Sequence, residues 1–452
     1  MTGSDTLMVG DASQVPRQDP NPADPAHPAD AGDPGDPVAV MGWLAGPGAA
    51  PVLAAATDLA DRLAPLAVAE RLRQRFPQLP AALLAAASGQ VALRARAAPR
   101  LGPHAGRLLL TRDGLEQASR RSVADHRAAS LAARSPGPVH EVADLCCGIG
   151  GDLLALAAAG FQVTGVDLDP VAVIAARANV AANGLTATIR LGDVTDLDRS
   201  GFDAVVADPA RRTANGRIRD PADFRPDWSW VRSVLTEPGA RAVVTTTPAL
   251  PHRLIPDGCE AEWVGQGRDV VEAALWSPEM GSGVRRRATL LGPDGTRTMT
   301  DSELSHTPPP VGDPAAGDIL IEPHGVVIRA GLVGVLADRV GGYLPAPGIG
   351  YLLAPAGAIG PDVLGPDRGP DWGTAFTITE VLPLRERVLR RRLADDDVGI
   401  LEIMQRGLDI SPDALRPRLI GTRPRGHGAA TLVLTRTRSG GAALLVSRLT
   451  GD

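Results

Sequence analysis

The sequence predicts an α/β protein: an open, mostly parallel sheet, preceded by a helical region and followed by a small second α/β unit. Three observations carry this reading. The hydrophobic period changes from helical spacing to alternating strand and helix at Val139. Directly after it, Val142–Asp152 reads V-A-D-L-C-C-G-I-G-G-D, an apolar run that ends in an acid, a glycine turn and an alanine-rich helix. Strand and turn signals then resume at Phe376, beyond a stretch broken by Pro and Gly. A buried strand turning through glycines into a helix leaves backbone N–H groups at a helix N-terminus for a ligand, the hallmark of a Rossmann-like sheet.

Composition narrows the class. A chain of 452 residues exceeds what one core organises, so two or three domains are expected. A hydrophobic content of 44% supports such cores, while 3% aromatic leaves few stacking surfaces. All 46 basic residues are Arg, and this bias accompanies 51 Gly and 41 Pro, so Arg content alone is no argument for nucleic acid. The net charge of −6 argues against a wholly basic coat. Of three Cys, two are adjacent, which leaves no disulfide framework and no CxxC metal site. His140, His252 and His324 lack metal spacing, so no metal is expected. The chain shows neither a leader-like start nor a long uncharged apolar run, so no membrane span and a cytoplasmic location are expected.

The chain divides in order. Residues 1–37, rich in Pro, Asp, Ala and Gly, read as a disordered tail. Residues 38–135 read as helical, with Leu59, Leu63, Leu66 and Val68 at helical spacing and a break at Pro77 and Pro80. A helix from Asp113 or Gly114 through Ala133 carries Arg120, Arg121, His126 and Arg127, either as a solvated face or turned toward the ligand opening. The Rossmann-like unit spans 136–310. Its strands are Val139–Leu145, Gln162–Val166, Ala187–Leu191, Phe202–Ala207 and Arg241–Thr246, with further strands at Ala261–Val264, Val270–Trp276 and Arg287–Leu291. Thr298–Pro314 reads as a loop, and 311–375 as a linker with a helix over Gly325–Val340. Residues 376–452 form the second α/β unit, closed by a hairpin around Ser439-Gly440-Gly441.

Four acids stand just after four successive strands: Asp144, Asp167, Asp193 and Asp208. At the carboxyl edge of such a sheet they meet the ligand. Asp167, after the second strand, suits a pair of ribose hydroxyls, and Asp193 an adenine amino group. A dinucleotide fingerprint would need a third glycine where Leu153 stands, and Asp208-Pro209 has no part in hydride transfer. A methyl donor is therefore preferred.

These residues resemble class I S-adenosylmethionine-dependent methyltransferases, and more narrowly a bacterial family with a THUMP-like C-terminal domain. D-L-C-C-G-I-G-G-D with V-D-L-D-P is similar to that family's nucleotide-binding pair, and the pair is also shared with RNA cap guanosine methyltransferases. D-P-A-R-R, E-V-L-P-L-R-E-R, G-I-L-E-I-M-Q-R-G-L-D-I and T-L-V-L-T-R resemble its later signatures, over about Leu108 to Arg448. The resemblance implies S-adenosyl-L-methionine as cofactor. Asp144 and the backbone around Gly148 and Gly150 would then face its methionine end, Asp167 the ribose and Asp193 the adenine, with Cys146, Leu168 and Val194 also expected in the cofactor site. It also implies RNA as partner, since THUMP-type domains bind RNA in related enzymes, an inference by fold analogy. The residues themselves leave a protein, a small molecule or a non-catalytic RNA-binding role open.

Asp208-Pro209 stands where amine-methylating enzymes place an acceptor for the target amino group, which would align its lone pair for transfer. The stacking aromatic usual there is absent; Arg211 and Arg212 follow, suited to a base or a phosphate. D-P-A-R also resembles 5-methyluridine RNA methyltransferases, which need a Cys nucleophile after the fifth strand. This chain has Thr245-Thr246-Thr247-Pro248 instead, so direct transfer to a base nitrogen is expected. Cys146, Cys147 and Cys259 are expected as packing residues. From Val381 to Thr450, thirteen Arg face seven acids, a local excess suited to phosphate.

Overall fold

The computed structural model describes residues 33, 35–209, 212–213, 216–217, 225–305, 307–357, 372–423 and 426–449. Most of the stretch expected as a tail lies outside these residues, and Pro37 already opens a helix. That helix, α1 (Pro37–Ala45), starts where the Asp36 carboxylate accepts the Val38 and Ala39 N–H groups and proline occupies a position needing no donor. It is followed by α2 (Ala50–Ala60), α3 (Pro65–Arg75) and α4 (Ala81–Leu101), with the expected break between the last two. The single helix expected up to Ala133 is two: α5 (Arg112–Gln117) and α6 (Arg121–Arg134). Arg100 of α4 donates to the carbonyls of Leu115, Glu116 and Ala118, so a guanidinium satisfies the end of α5 in place of a continuing helix.

The large sheet begins with β1 (Glu141–Leu145), α7 (Gly151–Ala158), β2 (Gln162–Asp167), α8 (Pro170–Ala182), β3 (Thr188–Leu191) and β4 (Ala204–Ala207). A two-residue hairpin, β5 (Arg212–Thr213) with β6 (Gly216–Arg217), precedes α9 (Trp228–Thr236) and β7 (Ala242–Thr246). Then come β8 (Glu260–Gln266), β9 (Asp269–Trp276), β10 (Arg286–Gly292) and β11 (Gly295–Thr300), the last falling partly where a loop was expected. The order is β11-β10-β8-β9-β7-β4-β1-β2-β3. Strands β3, β2, β1, β4 and β7 run parallel. Because β9 is antiparallel to both β7 and β8, and β10 is parallel to β8, the strands β8 and β10 point the same way as β4. The order reverses between β1 and β4, the switch point where ligands lodge in such sheets.

Residues 311–375 differ from the expected linker. They hold β12 (Ile319–Pro323), α10 (Gly325–Ala330), α11 (Val333–Val340) and β13 (Leu352–Ala354). Left-handed Gly331, at φ 68°, splits the expected helix. The strands were too short to show a period; they form because β14 (Gly373–Pro383) pairs with β12. With β15 (Val398–Arg406), β16 (Gly428–Thr437) and β17 (Gly440–Arg448) they make a six-stranded sheet ordered β13-β12-β14-β17-β16-β15. Helices Glu386–Asp395 and Pro412–Ile420 pack beside it.

Of the four apolar cores among the described residues, two pack against the large sheet. On one face of the large sheet, Leu72, Leu84, Leu131, Leu153 and Val206 join the helical region to the strands. On the other, Leu145, Val244, Trp263 and Leu290 merge with Ile321, Leu352 and Ala375 of the second sheet. The two sheets therefore share one core.

Candidate active site

The glycine turn is set by backbone conformation. Cys146, Gly148 and Gly150 take positive φ of 60°, 55° and 90°, the left-handed region that glycine enters at little cost. The turn is pinned from both sides: Cys147 N–H donates to the Val166 carbonyl at 3.2 Å and Asp208 N–H to the Leu145 carbonyl at 3.1 Å. Gly165 lies so close under α7 that a Cβ there would strike the Leu153 side chain, which is why helix and strand can approach. Asn179, fully buried, accepts from Leu109 N–H and donates to the Leu109 and Ile149 carbonyls, fastening the turn to the helical region.

The four strand-end acids meet along one edge with different environments. Asp144 is 1% exposed, and its Oδ2 has no hydrogen-bond partner among the described residues. Burial, reinforced by Asp152, Asp208 and Asp167, lifts its carboxyl well above the ordinary range against the pull of Arg127. Asp167 accepts the Gly148 N–H at 2.8 Å and the Asp169 N–H at 2.9 Å, while partial burial raises it. Asp193 is exposed and accepts both the N–H and the hydroxyl of Thr195, bonds that lower its carboxyl. Leu168 is 70% exposed, whereas Val194 is buried. Asp208 accepts the hydroxyl of buried Thr245 of β7. Pro209 is buried beside it; Arg211 lies outside the described residues, as does the Arg212 side chain.

Three features escaped sequence reasoning. Thr245 stands in a run of threonines marked in the sequence only by the thiol it lacks, with nothing to signal its bond to Asp208. Leu191, 57% exposed at the end of β3, pairs with Asp167 across the sheet and offers an apolar surface near Leu168. The third is the ionic seam under the turn. Arg127, 2% exposed, bonds Asp152 of α7 and Glu272 of β9, the latter at 2.5 Å. Arg134 reaches Glu260 at 2.9 Å and Glu262 at 3.1 Å, and His126 meets Glu262 at 3.0 Å. Of the basic side chains of α6, Arg121 stays at the surface and pairs with Asp125, whereas His126, Arg127 and Arg134 turn inward, and Arg127 and Arg134 dock on β9 and β8 at a seven-residue spacing. Burial and the Glu272 and Asp208 charges push Asp152 up to about 6 in spite of Arg127.

The thiols stay protonated here. Burial first, then Asp167, Asp208 and Asp144, raise Cys146 far above its usual value, and burial raises Cys147 likewise. Buried Cys259 is pushed up to about 11 by desolvation. Among the described residues no cluster of His, Cys, Asp and Glu has the form of a metal site. No single helix among them is long and apolar enough to cross a membrane.

The arrangement suits a nucleoside-bearing ligand with a charged amino-acid end: a glycine cradle, an unsatisfied buried carboxyl oxygen at Asp144, and acids at the ends of β2 and β3. Comparison with known proteins agrees. Residues 142–214 match the methyltransferase domain family, and residues 373–448 the THUMP domain-like family. The chain is 38% identical to an uncharacterized S-adenosylmethionine-dependent methyltransferase of Mycobacterium tuberculosis over 360 residues, 77% of this chain and 91% of that one. The fold matches a putative methyltransferase of Porphyromonas gingivalis with a TM-score of 0.68 at 21% identity, covering 89% of this chain and 99% of the other. A shorter likeness, 36% over 72 residues (16% of this chain, 18% of the relative), links it to a 23S rRNA (uracil(747)-C(5))-methyltransferase of Pyrococcus horikoshii. Fold and site define a class I methyltransferase. The chain belongs to the family of S-adenosylmethionine-dependent methyltransferases represented by the mycobacterial protein, with a THUMP-like C-terminal domain, and its cofactor is S-adenosylmethionine.

Proposed function

We propose that this enzyme methylates a base nitrogen of RNA by direct displacement, with Asp208 as the residue that positions the acceptor. The carrying observation is the Asp208 carboxylate, fixed by the Thr245 hydroxyl at the end of β4, one strand from the glycine turn. Bound at the turn, S-adenosylmethionine supplies an electrophilic methyl group on its sulfonium. The Asp144 carboxyl and the backbone of Cys146, Gly148 and Gly150 hold the methionine end. Asp167 keeps lone pairs for the ribose hydroxyls beyond those used by Gly148 and Asp169. Asp193 would receive the adenine amino group, and Leu168, Leu191 and Val194 would give the ring its apolar surroundings.

Asp208 accepts a hydrogen bond from the target amino group, and Pro209, lacking an N–H, adds only an acceptor carbonyl. That orients the nitrogen lone pair toward the methyl group, so positioning supplies most of the rate. Arg211 and Arg212 hold the base or its phosphate. Transfer to carbon, as in the uracil enzyme named above, needs a thiolate to form an adduct. Cys146 and Cys147 lie in the turn, no thiol stands at Thr246-Thr247 directly at the end of β7, and Cys259 is buried immediately before β8. The supports for RNA are the THUMP-like domain, the partial likeness to RNA methyltransferases and the basic C-terminal region. Titration with S-adenosylhomocysteine, followed by labelled methyl transfer to total RNA, tests the proposal. Expected are cofactor-product binding and label in nuclease-sensitive material; label only in protein would overturn the acceptor.

A further inference from the structure

Where the two sheets meet, a cleft of about 600 Å³ opens between the β8–β9 turn, the β10–β11 turn and the ends of β12, β14, β15 and β17. Four arginines line it: Arg268 of the β8–β9 turn, Arg297 of β11, Arg406 of β15 and Arg448 of β17. A second hollow of about 350 Å³ continues it and shares Arg268, Arg406 and Arg448. Glu322 offsets part of this charge by pairing with Arg406 at 3.1 Å, and Arg406 also lies over the Tyr351 ring at 5.1 Å. Arg268 and Arg448 are exposed and make no ion pair among the described residues. The floor is firm, because the His324 ring bonds the Gly267 carbonyl at 3.0 Å and so ties the second sheet to the β8–β9 turn.

The topology places this cleft on the same edge as the methyl-transfer site. Strands β8 and β10 run in the direction of β4, so Arg268 and the β10–β11 turn emerge at the edge that carries Asp208. Between β4 and β8 lie β7 and β9, and β10 is one strand further. At about 4.8 Å per strand the separation is roughly 14 to 19 Å. A stacked strand rises about 3.4 Å per nucleotide, so the span corresponds to about four to six nucleotides. Tyr351 and Phe376, the aromatics of the second hollow, are buried and offer no face for a base to stack on, so the arginine forks suit phosphate oxygens rather than bases.

We infer that this inter-sheet cleft, through Arg268 and Arg448 with Arg297 and Arg406, grips the sugar-phosphate backbone of the RNA about four to six nucleotides from the base presented to Asp208. This rests on the RNA reading above. It assigns the grip jointly to both sheets rather than to the THUMP-like domain alone.

The test is filter binding of end-labelled, fragmented total bacterial RNA to the full chain across a salt series, with S-adenosylhomocysteine titration in parallel. The Arg268→Ala/Arg448→Ala double variant is expected to bind RNA about tenfold or more weakly and to show a salt slope shallower by about 1.4. Arg268→Lys/Arg448→Lys, which keeps both charges, should restore most of the slope, an outcome that a merely structural role would not give. S-adenosylhomocysteine affinity should stay within about twofold, which reports that the fold is intact. Wild-type protein that binds RNA with affinity and slope unaltered in the alanine variant overturns this inference alone. Wild-type protein that binds S-adenosylhomocysteine but no RNA overturns the acceptor reading and this inference with it.

Discussion

At the residue scale the account turns on Asp208 and the hydroxyl that holds it. Replacing Asp208 with Ala removes the acceptor for the target amino group while leaving the turn intact. It should lower kcat by about 10²–10⁴ with S-adenosylhomocysteine affinity unchanged, as single-turnover assays and calorimetry would show. Thr245→Val keeps the shape and deletes only the bond to Asp208. A smaller loss of about fivefold in kcat is expected from a net hydrogen bond of about 1 kcal/mol, again without a change in cofactor affinity. The acids were legible in the sequence because a carboxylate directly after an apolar run has few roles other than the sheet edge. Thr245 was not, since a hydroxyl in a β-branched run carries no mark of the residue it faces across the sheet. Leu191 escaped for the same reason: an apolar residue ending a strand signals burial, and only the fold reveals it as exposed.

At the element scale, α6 is bolted to the sheet by charge as well as by the apolar packing of Ala124, Ala128 and Leu131. Arg127 is buried between Asp152 and Glu272, so Arg127→Met strands two acids in the interior. A loss of about 3–5 kcal/mol in urea denaturation is expected, with weakened cofactor binding because Asp152 lies in the first turn of the helix that follows the glycine turn. Glu262 shows the sign of the pH dependence. Burial alone would raise its carboxyl, but bonds from His126 and Thr289 and the charge of Arg134 bring it from 4.5 down to about 2. A carboxyl lowered by folding stabilises the folded state above its unfolded value, and the benefit disappears as pH falls through the folded one. The stability advantage of the wild type over Glu262→Gln, on the order of 3 kcal/mol near neutrality, should shrink between pH 4.5 and about 2. The seven-residue repeat of Arg120, Arg127 and Arg134 is visible in the sequence. Its burial is not, because the matching acids lie more than a hundred residues away on β8 and β9.

At the scale of the whole molecule, the helical region, the large sheet and the second sheet are joined by continuous cores. The strand–helix alternation from Val139 and the hairpin at Gly440 were legible because each element is long enough to show its period. Strands β12 and β13 were not, since three to five residues have no period and are defined only by pairing with a distant partner. Their burial predicts that a chain ending at residue 310 exposes the face formed by Trp263, Ala288 and Leu290. Such a truncation should be aggregation-prone and should lose cooperative unfolding in calorimetry, even though the turn and its four acids are all retained.

The central claim is that this edge of the sheet carries methyl groups onto a nitrogen of RNA. Methyl-labelled cofactor, purified enzyme and total RNA from cells lacking it, followed by digestion and mass spectrometry of the nucleosides, test it most directly. The account predicts one N-methylated nucleoside that appears with the wild type and fails to appear with Asp208→Ala. Label on pyrimidine carbon 5, or in the wild-type reaction a nucleoside fraction without label beside labelled protein, would contradict it.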